Sequence, residues 1–122
     1  MTNNRPDRSR KKAERRGHFA EYVATLYLIL KGYRVLALRY KTPLGEIDIV
    51  ARKGDVAVFV EVKSRRYPRA AIDAVTPSAQ RRIRAASDLW LARRADASEL
   101  SQRYDIIAVL PRTLPRHFID AF

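Results

Sequence analysis

The stretch Thr42-Pro43-Leu44-Gly45 and the stretch Lys53-Gly54-Asp55 enclose a short segment rich in β-branched residues, and similar segments flank them on either side. Gly and Pro at such spacing mark tight turns, and strands joined by tight turns must run antiparallel. The spacing therefore predicts three consecutive strands, Tyr33–Tyr40, 46–52 and 56–63, folded as a meander. No other feature of the chain restricts its topology as strongly.

The flanking segments read as helices and one further strand. From about Gly17 to Lys31, Ala20, Val23, Ala24, Tyr27, Leu28 and Leu30 recur at helical spacing, with Gly32 as a stop signal. After an irregular, initially basic stretch over 64–75, Thr76-Pro77 supplies an N-cap followed by proline at the first helical position. That second helix runs to about Arg94, with Ala79, Ile83, Ala86 and Trp90 on its buried face. Tyr104–Leu110 is a fourth strand, and His117–Phe122 a short edge strand. The order α-β-β-β-α-β gives an α/β fold, a mixed sheet flanked by helices. Trp90, Tyr27 and Phe59 lie within apolar patterns and belong to the core rather than to stacking platforms.

With 122 residues and a hydrophobic fraction of 47%, the chain is expected to hold one folded domain over 17–122 behind a basic, disordered arm over 1–16. The arm carries Arg5, Arg8, Arg10, Lys11, Lys12, Arg15 and Arg16 against Asp7 and Glu14, and its end merges into the first helix. No cysteine is present, which excludes disulfides and thiolate metal sites, and His18 and His117 have no zinc spacing. The apolar run Tyr22–Leu30 is too short to span a bilayer, which takes roughly 20 residues. A soluble, cytoplasmic protein is expected. Its 25 Lys and Arg against 13 Asp and Glu give a net charge of +12, which favours a polyanionic partner, with nucleic acid first.

The strands carry the chemistry. In 46–52, Glu46 and Asp48 are expected on one face with Ile47 and Ile49 on the other. In 56–63, Phe59, Glu61 and Lys63 share a face opposite Val58, Val60 and Val62. Two readings are open for these charged positions. Alternating charged and apolar residues make the solvated face of any half-exposed strand. Alternatively, Asp48 and Glu61 converge on a hard divalent cation, which takes oxygen ligands, with Lys63 placed to orient or deprotonate a water.

Asp48 followed by Glu61-Val62-Lys63 resembles the PD-(D/E)xK signature of the restriction-endonuclease-like superfamily. More closely, the chain resembles the bacterial YraN-type family, similar in fold to archaeal Holliday-junction resolvases. The matching pieces are Gly17 to Glu21, Ala24, Leu28, Gly32-Tyr33, Gly45-Glu46-Ile47-Asp48, Phe59 to Lys63, Arg103 to Ile107 and Asp120-Ala121-Phe122. The resemblance implies a metal-dependent nuclease acting on DNA rather than RNA, with structured or branched DNA a candidate substrate, and holding Mg²⁺ or Mn²⁺ on Asp48, Glu61 and the Val62 carbonyl, with Lys63 catalytic. It also implies that Glu21 approaches the metal or its waters, and by analogy that the protein works as a homodimer. Where the family often carries a lysine, this chain has Ala79 before Gln80, so Gln80, Arg81 or Arg82 takes over a phosphate contact or the contact is absent. Arg65 and Arg66, directly after the lysine, are further phosphate-binding candidates. Asp105 reads as structural. The alternative function is a non-catalytic nucleic-acid-binding module that keeps the nuclease fold.

Overall fold

The computed structural model describes residues 5–122. Helix α1 (Arg5–Leu30) is followed by strands β1 (Arg34–Thr42), β2 (Gly45–Lys53) and β3 (Val56–Ser64). Helices α2 (Pro68–Ala74) and α3 (Pro77–Ala92), a 3₁₀ turn over Ala97–Glu99, and strands β4 (Ser101–Val109) and β5 (Arg116–Phe118) complete the chain. The five strands form one sheet in sequential order, β1 to β5. Pairing is antiparallel for β1–β2, β2–β3 and β4–β5, as the tight turns require, and parallel for β3–β4. The parallel pair is joined through α2 and α3, which supply the long crossover that parallel strands need.

Each face of the sheet has its own core. On one, α1 packs Ala20, Ala24 and Leu28 against Ile49, Val58, Val60, Val62 and Ile107. On the other, α3 packs Ile83, Ala86 and Trp90 against Ile47, Val50, Phe59, Tyr104 and Ile106. Trp90 and Phe59 are core residues, and their rings meet edge to face at 5.7 Å. The contact face of α1 follows the four-residue spacing of two alanines and a leucine, so the helix lies close to the sheet. Leu30, expected on that face, is instead 86% exposed, because a residue two positions past Leu28 points to the opposite side of the helix.

Several element boundaries differ from the sequence reading, among them the tail strand, which covers Arg116–Phe118 and not 117–122. Residues 1–4 of the expected arm lie outside the described residues, and from Arg5 onward the chain is already α1, well before Gly17. The polar run shows no apolar stripe, but Arg, Lys, Ala and Glu are good helix formers, and Pro6 falls in the first turn, where its missing N–H is harmless. The stretch 64–75 is not wholly irregular: Pro68 opens α2, which buries Ala71. Strand β4 begins at Ser101 rather than Tyr104, because Ser101 N–H donates to the Asp55 carbonyl at 2.8 Å.

The stop and start signals work as read. Gly32 adopts φ 90°, and Tyr33 N–H returns to the Leu28 carbonyl at 3.0 Å, closing α1 with a left-handed cap. Thr76 caps α3, its hydroxyl accepting from Ala79 N–H at 3.1 Å. Gly45 fixes α3 against the first hairpin: a Cβ there would sit 2.5 Å from the Arg82 carbonyl oxygen, closer than atoms tolerate. Among the described residues no helix is long and apolar enough to cross a membrane.

Candidate metal and nuclease site

The regular β2–β3 ladder runs from Lys53↔Val56 to Ile49↔Val60 and goes no further. At Asp48 the side chain takes over from the backbone: its Oδ2 accepts the Val62 N–H at 2.8 Å. Alternation also fails here, against expectation. Ile47 belongs to the α3-side core and Ile49 to the α1-side core, although a regular strand would put them on one face. Glu46 and Asp48 likewise line different cavities, Glu46 with Ala79, Arg82 and Ile83, and Asp48 with Gly17, Ala20 and Glu21. The strands part, and both cavities open onto Glu61 and Lys63.

The neighbouring strand is distorted at the same level, though it stays paired. In β1 the ladder to β2 pairs Leu38↔Ile49 and Tyr40↔Ile47, and between them Arg39 has φ 48°, a left-handed conformation that is costly for a residue with a Cβ. Its guanidinium reaches α1, Nε donating to Glu21 Oε2 at 2.6 Å. Glu21 thus stands in the wall of the Asp48–Glu61 cleft, held by Arg39.

That cleft, about 410 Å³, gathers Glu21, Asp48, Glu61, Val62, Lys63 and Arg65 from three elements and the loop after β3. Glu61 is nearly buried, with 13% of its side chain exposed, and Lys63 Nζ lies 4.0 Å from Glu61 Oε1. Burial, reinforced by contact with the Asp48 carboxyl group and by the charge of Glu46, pushes Glu61 up to about 9 against the opposing pull of Lys63. Two carboxyl groups therefore meet in a space with too little positive charge for both.

Among the described residues no group of three or more His, Cys, Asp and Glu side chains stands in a metal-binding arrangement. The donors in the cleft are an Asp–Glu pair in contact, with Glu21 engaged elsewhere. This set fits a hard cation such as Mg²⁺ or Mn²⁺: it offers carboxylate oxygens, with no thiolate or imidazole to favour a softer ion, and Mg²⁺ is commonly held by one or two carboxylates.

The other sequence candidates divide. Arg66 lies in an adjoining cleft that shares Arg65 with the first. Gln80 and Arg81 line neither of the cavities around Glu61. Gln80 Nε2 donates to the Val75 carbonyl at 3.1 Å and so ties the start of α3 to the end of α2. Arg82 is the residue of that group that reaches the site, beside Glu46, Glu61 and Lys63. Arg39 was not a sequence candidate, since nothing in the residue type announces a left-handed backbone. Arg16 was read only as one charge among many in the arm.

Residues 20–109 match the uncharacterised protein family UPF0102. The chain belongs to that family. It is 69% identical over 113 residues to a UPF0102 protein of Rhizobium johnstonii, 93% of each chain being covered. A UPF0102 protein of Rhizobium leguminosarum bv. trifolii is 66% identical over the full length of both chains, and one of Agrobacterium fabrum 65% identical over 93% of each. This is the YraN-type family that the motifs around Asp48 and Glu61 indicated. The mixed sheet and flanking helices are consistent with a restriction-endonuclease-like arrangement.

Proposed function

We propose that this UPF0102 protein is a cytoplasmic, metal-dependent nuclease that hydrolyses DNA phosphodiesters. The observation that carries the reading is the meeting of Asp48 and Glu61 in one cleft, with Lys63 beside them. Asp48, Glu61 and the Val62 carbonyl would hold Mg²⁺ or Mn²⁺. Such an ion, when bound, polarises the phosphate and offsets the charge that develops on its oxygens. Lys63 Nζ would orient the attacking water or take up the proton that the water loses. Arg82, which lines one cavity, and Arg65, which lines the other, would hold the phosphates flanking the bond to be cut.

The test is cleavage of linear, single-stranded and junction DNA by purified protein in Mg²⁺ or Mn²⁺. Asp48→Ala or Glu61→Ala is expected to abolish product, a loss of at least about 10³-fold. Product that survives either substitution overturns the assignment.

A second reading, a binding module without turnover, is favoured by the cations that line the clefts independently of the carboxylates, Arg16, Arg65 and Arg66. It predicts no product in any metal and salt-dependent binding, with a slope of about −0.9 per neutralised phosphate on a log–log plot.

A further inference from the structure

The carboxylate cleft is continuous with a second one of different chemistry. Arg16, Ser64 and Arg65 line both. Beyond them the second cleft, about 350 Å³, adds Arg66 on its rim and Phe19 and Leu110 among its apolar walls. Phe19 projects from α1 with 66% of its surface exposed, so its ring contributes little to the fold.

A cleft that pairs guanidinium groups with an uncovered aromatic ring suits a ligand that is anionic at one end and flat and apolar at the other. An inorganic anion leaves the ring uncovered, and an aliphatic chain leaves the arginines unpaired. A nucleotide meets both demands, its phosphate on the arginines and its base on the ring. Bases inside a duplex are already stacked between neighbours, so only an unpaired or splayed nucleotide has a free face to offer.

We infer that this second cleft binds an unpaired nucleotide stacked on Phe19 and adjoining the phosphodiester in the carboxylate cleft, so that the substrate is DNA with a single-stranded segment at the cleavage point. The inference rests on the nucleic-acid part of the proposed function and specifies its substrate. Arg16 and Arg65, common to the two clefts, carry the backbone from one to the other.

Fluorescence anisotropy in EDTA, where no cleavage intervenes, tests this with a labelled blunt duplex and the same duplex bearing a single-stranded overhang. Wild-type protein is expected to bind the overhang substrate more tightly. Phe19→Ala is expected to weaken overhang binding about tenfold, from the loss of one base–aromatic stack, and to leave blunt-duplex binding unchanged. Phe19→Trp should keep the preference and Phe19→Leu, similarly apolar but without a ring, should lose it. Equal affinity of wild type for the two substrates overturns the inference, as does an equal loss on both in Phe19→Ala. A Phe19→Ala preference like that of wild type, joined to a changed sedimentation coefficient of the free protein, also overturns it, because the ring would then cover another copy of the chain. The binding preference does not depend on turnover. An inactive wild type with the overhang preference refutes the nuclease reading alone, and an active one without it refutes only this inference.

Discussion

Glu61 on β3 and Asp105 on β4 sit one register step apart in neighbouring strands, Val60 pairing with Asp105 and Glu61 with Ile106, yet their surroundings are opposite. Asp105 is fully buried and fully partnered. Its Oδ1 accepts from Arg103 Nε at 2.9 Å and from Asp120 N–H at 2.9 Å, and its Oδ2 from Arg103 Nη2 at 2.8 Å and His117 Nε2 at 2.7 Å. The next shell is ordered too: Lys31 Nζ lies 2.7 Å from His117 Nδ1, and Arg103 Nη2 donates to the Tyr33 hydroxyl at 2.7 Å. An ammonium can only donate, so His117 accepts at Nδ1 and carries its proton at Nε2, facing Asp105. Burial alone would raise Asp105, but the bonds from His117, Arg103 and Asp120 hold it below the ordinary carboxylate range. Glu61 has another carboxyl group for a neighbour and a single lysine at 4.0 Å, and it rises to about 9. One acid closes the fold, tying the C-terminal strand and the end of α1 to the sheet. The other leaves a charge deficit of the kind common at functional sites, which the proposed divalent cation would fill.

Removing the structural acid should cost the most stability. Asp105→Ala leaves the half-buried Arg103 and the buried His117 side chain without their shared acceptor and is expected to lower unfolding free energy by about 3–5 kcal/mol, read from urea denaturation. A loss below about 1 kcal/mol would show that the network is not what holds the tail. Saturating Mn²⁺ should stabilise wild type by about 2.7 kcal/mol at a hundredfold excess over Kd, and Asp48→Ala not at all. A thermal shift of equal size in both would move the ion elsewhere.

Removing the proposed metal-binding acid should have the opposite sign. Glu61→Gln is expected to stabilise the metal-free protein by about 1–3 kcal/mol at neutral pH while abolishing cleavage. The pH dependence separates the two acids. Between the ordinary glutamate value of 4.5 and about 9 the folded protein keeps a proton on Glu61 that the unfolded chain releases, so this contribution falls as pH rises through that window. For Asp105, held low, the contribution is present above the ordinary carboxylate range and lost as pH falls through the folded value. Stability curves of Glu61→Gln and wild type that stay parallel from acid to pH 9 would contradict the first assignment. The smallest effect is expected at Arg39→Asn, where an asparagine tolerates the left-handed backbone and Glu21 is released. Stability should change by less than about 1 kcal/mol. A larger loss would mean that the Arg39–Glu21 pair itself supports the distorted strand.

The meander, α3 and the charged strand positions were legible because each depends on local signals: turn residues, an N-cap and strand periodicity. Asp48, Glu61 and Lys63 stood out as charges set in apolar strands, although periodicity put Asp48 on the face of Glu46, which lines a different cavity. The break at Asp48 was not legible, because a strand's divergence depends on what its partner does, and Val62 lies 14 residues away. The network around Asp105 was hidden more deeply, since Lys31 and Tyr33, just after α1, meet His117 and Arg103 only once the sheet has formed. The extension of α1 to Arg5 was missed for another reason: a polar run carries helix propensity without periodicity.

The bond from Val62 N–H to Asp48 makes one atom serve both scaffold and chemistry. Whatever neutralises that carboxylate must also polarise the amide it receives, so the Val62 resonance in an NMR spectrum would move when a cation arrives, with no label or substrate. Asparagine at this position could still receive the amide through its side-chain oxygen, whereas alanine could not. The pair Asp48→Asn and Asp48→Ala would therefore divide the seam that holds two strands apart from the electrostatics that the seam exposes.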